Sequence, residues 1–194
     1  MPTLIHFIRH GTPVGGNRYR GHSIDDPLSD KGWLQMRTAV RSLTIPDRVV
    51  SSPMLRCLSF AEDYCEQHQL DSPIVDDRLK EVGFGDWEGK SSSEILAEDV
   101  AAIRNFYHDP IAHRPANAEL LEDFQQRVAD SLEELLNKYR DQRLLVVAHA
   151  GVMRAVIGHT LKTPLASLYK VSIGNAAIVT VKDDHVRPAT LVIE

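Results

Sequence analysis

Two similar stretches predict the fold: Leu4-Ile5-His6-Phe7-Ile8-Arg9-His10-Gly11 and Leu144-Leu145-Val146-Val147-Ala148-His149-Ala150-Gly151. Each is a short, mostly apolar run, and each ends in a histidine followed closely by a glycine that breaks the pattern. A short apolar run with such bounds is typical of a strand that is buried on both faces of a sheet. The two stretches therefore predict a sheet covered by helices, with a histidine just beyond the end of each strand.

Helical patterns separate the predicted strands along the chain. Apolar residues recur at steps of three and four after Ser29 and again after Ser52-Pro53, which predicts a helix over about residues 29–44 and a second helix that carries Arg56 in its first turn. The strongest helical periodicity predicts a helix over about residues 119–139. A further helix is predicted over 152–161, and further strands over 48–51, 168–173, 177–181 and 190–193.

Strands that alternate with helices favour the α/β class, in the form of a doubly wound and mostly parallel sheet with helices on both faces. At roughly 100 to 200 residues per domain, the 194 residues predict one domain spanning 1–194. The region of about 78–115 is less regular and rich in glycine and serine, with one short helix predicted from Ile95 to Tyr107. We expect this region to form a lid-like excursion that covers a site.

Composition excludes several classes of protein. Hydrophobic residues make up 43% and charged residues 25% of the chain, which is ordinary globular usage. The 22 Lys and Arg against 27 Asp and Glu give a net charge of −5, the wrong sign for a surface that tracks nucleic acid or anionic lipid. No leader pattern or membrane-length apolar run is present, and Cys57 and Cys65 lie about 12 Å apart on one predicted helix, beyond disulfide reach. A cytoplasmic protein without nucleic-acid or membrane partners is expected.

Four residues predict a pocket for an anion. Arg9 and His10 follow the first strand, His149 follows the second long strand, and Arg56 lies at the start of a helix. In a doubly wound sheet both strand-ending histidines would face one crevice. A phosphoryl group needs several donors at once, which arginine forks supply, and a histidine nitrogen is a competent nucleophile toward phosphorus. The pattern therefore indicates phosphoryl chemistry with a covalent histidine intermediate.

The leaving alkoxide of such a reaction requires a proton donor. Glu81 is the best-placed carboxylate in the irregular region, because a desolvated glutamate can hold a proton near neutral pH. Composition leaves Glu88 and Asp86 as rivals for this role.

Nine histidines raise the question of a metal, but the sequence has neither a His-Glu-x-x-His motif nor paired cysteine spacing. A Gly-x-Gly-x-x-Gly motif does not follow the first strand, so hydride chemistry with a dinucleotide lacks its main signal. We expect no metal and no cofactor.

Four motifs carry a resemblance to a known family. They are Arg9-His10-Gly11, Ser51-Ser52-Pro53-Met54-Leu55-Arg56, Glu81-Val82-Gly83-Phe84-Gly85-Asp86-Trp87-Glu88-Gly89, and Val146-Val147-Ala148-His149-Ala150-Gly151-Val152-Met153-Arg154. In this order the chain resembles the histidine phosphatase superfamily, which has the phosphoglycerate-mutase-like fold. The resemblance implies that His10 is the phosphorylated nucleophile and Glu81 the proton donor. Arg9, Arg56 and His149 would clamp the phosphoryl oxygens, and no metal is implied.

Within the superfamily the chain is similar to the alpha-ribazole phosphatases, which remove phosphate from alpha-ribazole 5'-phosphate in assembly of the cobalamin nucleotide loop. The similarity rests on Gly15-Gly16, Arg20-Gly21-His22, Asp25-Asp26-Pro27-Leu28-Ser29, Gly32-Trp33-Leu34-Gln35-Met36 and Phe84-Gly85-Asp86-Trp87-Glu88. It implies that the substrate is a small phosphorylated metabolite. We expect a monomer or a homodimer. The substrate would also contact Asn17, Arg20, Gly21, His22 and Ala150.

Other functions stay open at this point. A broad-specificity or sugar-phosphate phosphatase would use the same residues, and a phosphoglycerate mutase is disfavoured because the chain lacks room for large insertions. A non-catalytic sensor of phosphorylated ligands is the alternative outside catalysis.

Overall fold

The fold is built on a six-stranded sheet, seen in a computed structural model that describes residues 1–192. The strand order across the sheet is β3-β2-β4-β1-β5-β6. The strands are β1 (Thr3–Arg9), β2 (Arg48–Ser51), β3 (Ile74–Val75), β4 (Arg143–Ala148), β5 (Ile178–Asp183) and β6 (Thr190–Val192). The four strands from β3 to β1 are mutually parallel, whereas β5 and β6 pair in antiparallel fashion at one edge.

Six α-helices connect and cover the strands. They are α1 (Asp30–Ala39), α2 (Leu55–His68), α3 (Ser92–Glu98), α4 (Ala102–His108), α5 (Leu121–Lys138) and α6 (Ala150–Leu161). None of the helices in the described part of the chain is long and apolar enough to cross a lipid bilayer.

Both faces of the sheet are buried. In β4, Leu144 and Val146 pack into a hydrophobic cluster with α5 and α6, whereas Leu145 and Val147 pack into a second cluster with α1 and α2. Successive side chains of a strand point to opposite faces, so one uninterrupted apolar run supplies both clusters. The predicted α/β sheet with helices on both faces is confirmed.

The register of the two central strands determines where the active-site candidates lie. β1 and β4 are parallel neighbours, and Arg9 is paired with Ala148. His10 and His149 therefore leave the same edge of the sheet side by side, and the His10 N–H donates to the Ala148 carbonyl at 2.9 Å.

Helix α1 begins where the sequence predicts, because the Ser29 hydroxyl accepts a hydrogen bond from the Gly32 N–H. It ends earlier, at Ala39, and continues as a 3-10 turn over Val40–Ser42. Helix α5 closely matches its prediction, and its apolar stripe is buried against the sheet.

Two element predictions are wrong. The single helix expected from Ile95 to Tyr107 is two helices, α3 and α4, separated at Asp99, where the backbone is extended and the carboxylate accepts the Ala101 N–H. The strand expected over 168–173 is instead a 3-10 helix over Leu165–Lys170 that starts after Pro164. The strand predicted over 190–193 is β6, although residue 193 lies outside the described residues.

The excursion of residues 78–115 packs through an aromatic cluster against Tyr169, which lies in the 3-10 helix Leu165–Lys170. Phe106 is 2% exposed, and its ring lies 4.6 Å from the ring of Tyr169, between centroids. The rings of Phe84, Trp87 and Tyr107 lie at 6.1, 5.3 and 5.6 Å from it. Edge-to-face contacts of this kind stabilise a segment that contains no strand in the described structure.

Candidate active site

The two strand-ending histidines meet at the carboxyl edge of the sheet. The ring centroids of His10 and His149 are 5.2 Å apart, with the rings at 65°. A cavity of about 180 Å³ opens beside His10. Its wall consists of Arg9, His10, Arg18, Tyr19, Arg20, Gly21, Arg56, Glu81, Phe84, Tyr107, Ala150 and Arg154.

His10 is a neutral imidazole, and one of its ring nitrogens donates a hydrogen bond to the backbone. Its Nδ1 donates to the Gly11 carbonyl at 2.8 Å, so Nε2 carries the lone pair. Burial, reinforced by the positive charge of Arg56, lowers the pKa of His10 well below the ordinary value of 6.5. The site therefore keeps an unprotonated ring nitrogen beside arginine side chains, which is the state that a nucleophile requires.

Arg9 and Arg56, which both line the cavity, each keep one buried donor without a partner. Arg56 is only 1% exposed; its Nη1 donates to the Ile24 carbonyl at 3.0 Å and its Nη2 to the Gly21 carbonyl at 2.8 Å. Arg9 Nη1 donates to the Ile173 carbonyl at 2.6 Å. The Nε atoms of both arginines are buried and have no hydrogen-bond partner. An unpaired buried N–H costs about 1–3 kcal/mol, so each of these two arginines could gain from a further acceptor.

Among the described residues, Glu81 is the single carboxylate in the cavity wall. Its Oε1 accepts the Val82 N–H at 3.0 Å, and its Oε2 accepts the Gly151 N–H at the start of α6 at 3.2 Å. The two rivals are used elsewhere: Glu88 accepts the Phe84 N–H at 2.8 Å, and Asp86 accepts the Asn117 amide at 2.9 Å. Neither Glu88 nor Asp86 lines the cavity.

His149 lies behind His10 rather than in the cavity wall. It is fully buried, and its Nε2 is 2.8 Å from the Ser52 hydroxyl. The Cys57 sulfur lies 3.6 Å from the same nitrogen. Burial, followed by the charge of Arg56, lowers the pKa of His149 well below 6.5. The structure thus brings together the five residues predicted to be catalytic, with His149 in an inner layer.

The predicted substrate contacts are only partly brought to the cavity. Arg20, Gly21 and Ala150 line it, whereas Asn17 and His22 do not. Asn17 is exposed beside the turn formed by Gly15-Gly16. His22 lies on the outer side of the acid segment, where its Nδ1 donates to the Glu81 carbonyl at 3.1 Å. Neither residue lines the cavity, because each lies in a loop whose path leaves no periodicity in the sequence.

Arg20 lines the cavity, but its N–H groups donate to residues of the surrounding loop, 14–26. Its Nε pairs with Asp26 Oδ2 at 2.9 Å, and its Nη2 donates to the Val14 and Gly16 carbonyls at 2.6 and 2.8 Å. The geometry makes Arg20 a support for the cavity wall.

Several cavity residues were not predicted from the sequence: Arg18, Tyr19, Phe84, Tyr107 and Arg154. Arg154 could have been found, since it lies four residues after Ala150 and residues at this spacing share one face of a helix. Its Nε donates to the Val171 carbonyl at 2.8 Å, and its guanidinium lies 5.2 Å from the centroid of the Tyr169 ring. Tyr107 comes from the excursion and has no comparable signal in the sequence.

A metal site is not evident in the part of the chain that the structure describes. Residues 1–192 contain no group of three or more His, Cys, Asp or Glu side chains arranged to hold a metal ion.

Several phosphatases are similar to this chain in sequence or in structure. The adenosylcobalamin/alpha-ribazole phosphatase of Salmonella typhimurium is 31% identical over 167 residues, which is 84% of this chain and 81% of that protein. The putative phosphoserine phosphatase 2 of Hydrogenobacter thermophilus is 28% identical over 180 residues, covering 90% of this chain and 86% of the relative. A mycobacterial glucosyl-3-phosphoglycerate phosphatase has a similar solved structure, with a TM-score of 0.86, 25% identity and coverage of 100% and 98%.

The model of the histidine phosphatase superfamily (branch 1) matches residues 5–193, nearly the whole chain. The chain therefore belongs to the histidine phosphatase superfamily, and it is a phosphatase.

Proposed function

We propose that this chain hydrolyses phosphomonoesters without a metal, through a phosphohistidine formed on His10. The observation that carries the proposal is the neutral His10 ring flanked by the unpaired Nε donors of Arg9 and Arg56. The free Nε2 supplies the nucleophile, and the two guanidinium groups bind oxygens of the transferred group. Electrostatic stabilisation of this kind is the main contribution that a protein makes to phosphoryl transfer.

In the first step, His10 Nε2 attacks phosphorus in line with the ester oxygen. A P–N bond forms, the P–O ester bond breaks, and protonated Glu81 gives its proton to the departing alkoxide. In the second step, water attacks the phosphohistidine, Glu81 takes the proton from that water, and the P–N bond breaks. Phosphate leaves, Nε2 regains its lone pair, and Glu81 is again protonated, so that the cycle closes.

We propose alpha-ribazole 5'-phosphate as the substrate. This assignment is supported by the sequence motifs around Arg20 and Trp87 and by the similarity to the Salmonella alpha-ribazole phosphatase. Tyr19, Phe84 and Tyr107 also form an aromatic part of the cavity wall, beside the proposed phosphoryl site. Aromatic side chains there would pack against a planar base better than against a small polar alcohol.

A phosphorylated carboxylic acid is a second candidate, favoured by one feature of the cavity. Arg18 and Arg154 line it in addition to the two clamp arginines, and neither Nη of Arg154 donates a hydrogen bond within the described residues. A free guanidinium fork matches a carboxylate. Relatives named as phosphoserine phosphatases agree with this candidate.

The deciding experiment is steady-state release of phosphate from alpha-ribazole 5'-phosphate, phosphoserine, 3-phosphoglycerate and 4-nitrophenyl phosphate, with and without a chelator. A preference for the ribazole ester of 10-fold or more in kcat/KM, on the order of 1.4 kcal/mol, that survives the chelator would support the full proposal. A comparable preference for phosphoserine or 3-phosphoglycerate would favour the second candidate. Similar turnover of all four esters would indicate a broad-specificity phosphatase.

The histidine mechanism is tested separately with His10→Ala and Glu81→Gln. We expect His10→Ala to abolish turnover and the phosphorylated intermediate that a rapid quench in alkaline denaturant should trap in the unaltered protein, because the P–N bond of a phosphohistidine is stable in alkali and labile in acid. Unchanged turnover by a folded His10→Ala variant would contradict the mechanism. Absence of turnover by the unaltered protein on every ester would instead favour a sensor.

A further inference from the structure

Glu119 and Arg127 form a bidentate ion pair beside the segment that carries Glu81. Arg127 Nε donates to Glu119 Oε1 at 2.7 Å, and its Nη2 donates to Oε2 at 2.9 Å. Arg127 lies on α5, whereas Glu119 precedes that helix by two residues. The side chains are 21% and 17% exposed, so the pair is mostly shielded from water.

The same guanidinium binds the backbone on which the proton donor sits. Nη1 donates to the carbonyls of Arg78 and Lys80 at 2.5 and 2.8 Å, and Nη2 donates to the carbonyl of Glu81 at 3.2 Å. The carboxylate of Glu119 completes the contact, because its Oε2 accepts the Gly83 N–H at 3.0 Å. The Glu119 N–H donates to the Gly83 carbonyl at 2.9 Å.

These hydrogen bonds hold a segment that has no regular secondary structure. Residues 81–84 are neither helix nor strand, so no regular ladder of backbone hydrogen bonds defines their path. The Glu81 side chain itself is held by two backbone donors, the N–H groups of Val82 and Gly151. A proton donor must lie within hydrogen-bond reach of the leaving oxygen, and a misplacement of about 1 Å can cost roughly 10²-fold in rate.

We propose that Arg127 and Glu119 are positioning residues for the proton donor Glu81, which they hold through its backbone. The proposal rests on the acid role given to Glu81 in the proposed function. Arg127 does not line the cavity in which the substrate is proposed to bind. Its effect must therefore be exerted through Glu81, and it should follow the need of each substrate for a proton.

The test compares kcat/KM of Arg127→Met on two esters that differ in leaving group. Departure of an alkoxide needs the acid, whereas departure of 4-nitrophenolate does not. We expect a loss of about 10-fold or more on the best alkyl phosphate of the panel and of less than about 3-fold on 4-nitrophenyl phosphate. Arg127→Lys, which keeps the charge but loses the fork, should show the same selectivity in a milder form.

Arg37→Met is the matched control. Arg37 lies on α1, pairs with Asp63 at 3.3 Å and places its guanidinium 5.2 Å from the centroid of the Trp33 ring, and it makes no hydrogen bond to residues 78–84 in the described structure. Loss of stability alone should therefore be visible in Arg37→Met without selectivity for the leaving group. Equal losses on both esters in Arg127→Met and Arg127→Lys, or no loss in either variant, would overturn the proposal.

A double-mutant cycle separates this proposal from the function on which it rests. In a Glu81→Gln background, Arg127→Met should cause no further change in the ratio of the two kcat/KM values, because the acid is already gone. An additive effect in that background would show that Arg127 acts independently of Glu81. If Glu81→Gln itself lacks leaving-group selectivity, the acid role in the proposed function fails first; if Glu81→Gln shows it and Arg127→Met does not, only the positioning proposal fails.

Discussion

At the scale of single residues, the arginines of the cavity differ in what their donors do. The guanidinium of Arg20 donates to Asp26 and to loop carbonyls, so Arg20 supports the wall of the cavity. Arg9 and Arg56 keep a buried Nε without a partner. All three were predicted as phosphate or substrate contacts from residue type and motif, and residue type cannot distinguish a satisfied guanidinium from an unsatisfied one. That distinction depends on which carbonyls the folded loops place within reach.

Gly151 carries a prediction of the same scale. A Cβ on this residue would overlap Glu81 Oε1 and lie 3.3 Å from Phe124 Cζ. Alanine is otherwise favoured over glycine inside a helix by roughly 1 kcal/mol. Gly151→Ala should therefore fold normally while displacing the carboxylate, with kcat/KM on an alkyl phosphate reduced by about 10-fold or more.

Gly158→Ala in the same helix is the control, since its nearest neighbours lie at 3.4 Å, an ordinary contact distance. Thermal melting and kinetics on both variants check the prediction. Equal activity of the two variants would show that the carboxylate tolerates a methyl group beside it, and hence that its position is not critical.

At the scale of elements, the central strands and the excursion make different contributions. β1 and β4 place the two histidines, and their apolar runs made both strands predictable. The excursion supplies Phe84 and Tyr107 to the cavity through the cluster around Phe106. The sequence predicts one helix where the excursion has α3 and α4. The apolar residues fit a single helix, and they do not reveal that the backbone becomes extended at Asp99.

Phe106 tests how far the excursion controls substrate binding. Phe106→Ala removes the ring that the cluster shares, and a buried Phe→Ala substitution costs roughly 3–5 kcal/mol. We expect a lower free energy of unfolding together with a KM raised several-fold, because Phe84 and Tyr107 lose their packing. Urea denaturation and steady-state kinetics measure the two effects.

Phe60→Ala provides the comparison. Phe60 is 1% exposed and packs on the opposite face of the sheet, between Trp33 and Tyr64. It should lower stability by a similar amount and leave KM unchanged. A KM that rises equally in both variants would mean that general loosening, rather than the excursion, alters binding.

At the scale of the whole molecule, an acidic protein encloses a basic cavity. The net charge is −5, yet five arginines and one glutamate line the site. Burial and the charge of Arg56 keep His10 and His149 neutral, with pKa values well below 6.5. The same burial therefore keeps the His10 ring unprotonated and makes the free energy of unfolding depend on pH.

Acid should therefore destabilise the protein earlier than it protonates the site. Below pH 6.5 the unfolded chain binds a proton at each of these histidines, whereas the folded chain does not, so the free energy of unfolding falls as the pH falls. Each histidine contributes a slope of up to about 1.4 kcal/mol per pH unit, until its own lowered pKa is reached. Urea denaturation between pH 7.5 and 5 measures this slope.

His10→Asn should reduce the slope, and His108→Asn, which alters an exposed histidine on α4, serves as the control. A stability that stays constant from pH 7.5 to 5 in the unaltered protein would contradict the lowered pKa values of both buried histidines.

The α/β sheet, the positions of His10 and His149 at its edge, and the helices α1, α2, α5 and α6 can all be predicted from the sequence. The spacing of apolar residues along a helix or strand shows which of its faces are buried, so each of these features follows from a few consecutive residues. The tertiary structure alone decided that Glu81, rather than Glu88 or Asp86, enters the cavity, and that Asn17 and His22 do not. Those outcomes depend on loops whose paths are set by contacts distant in sequence, such as the hold of Arg127 on the carbonyls of residues 78–81.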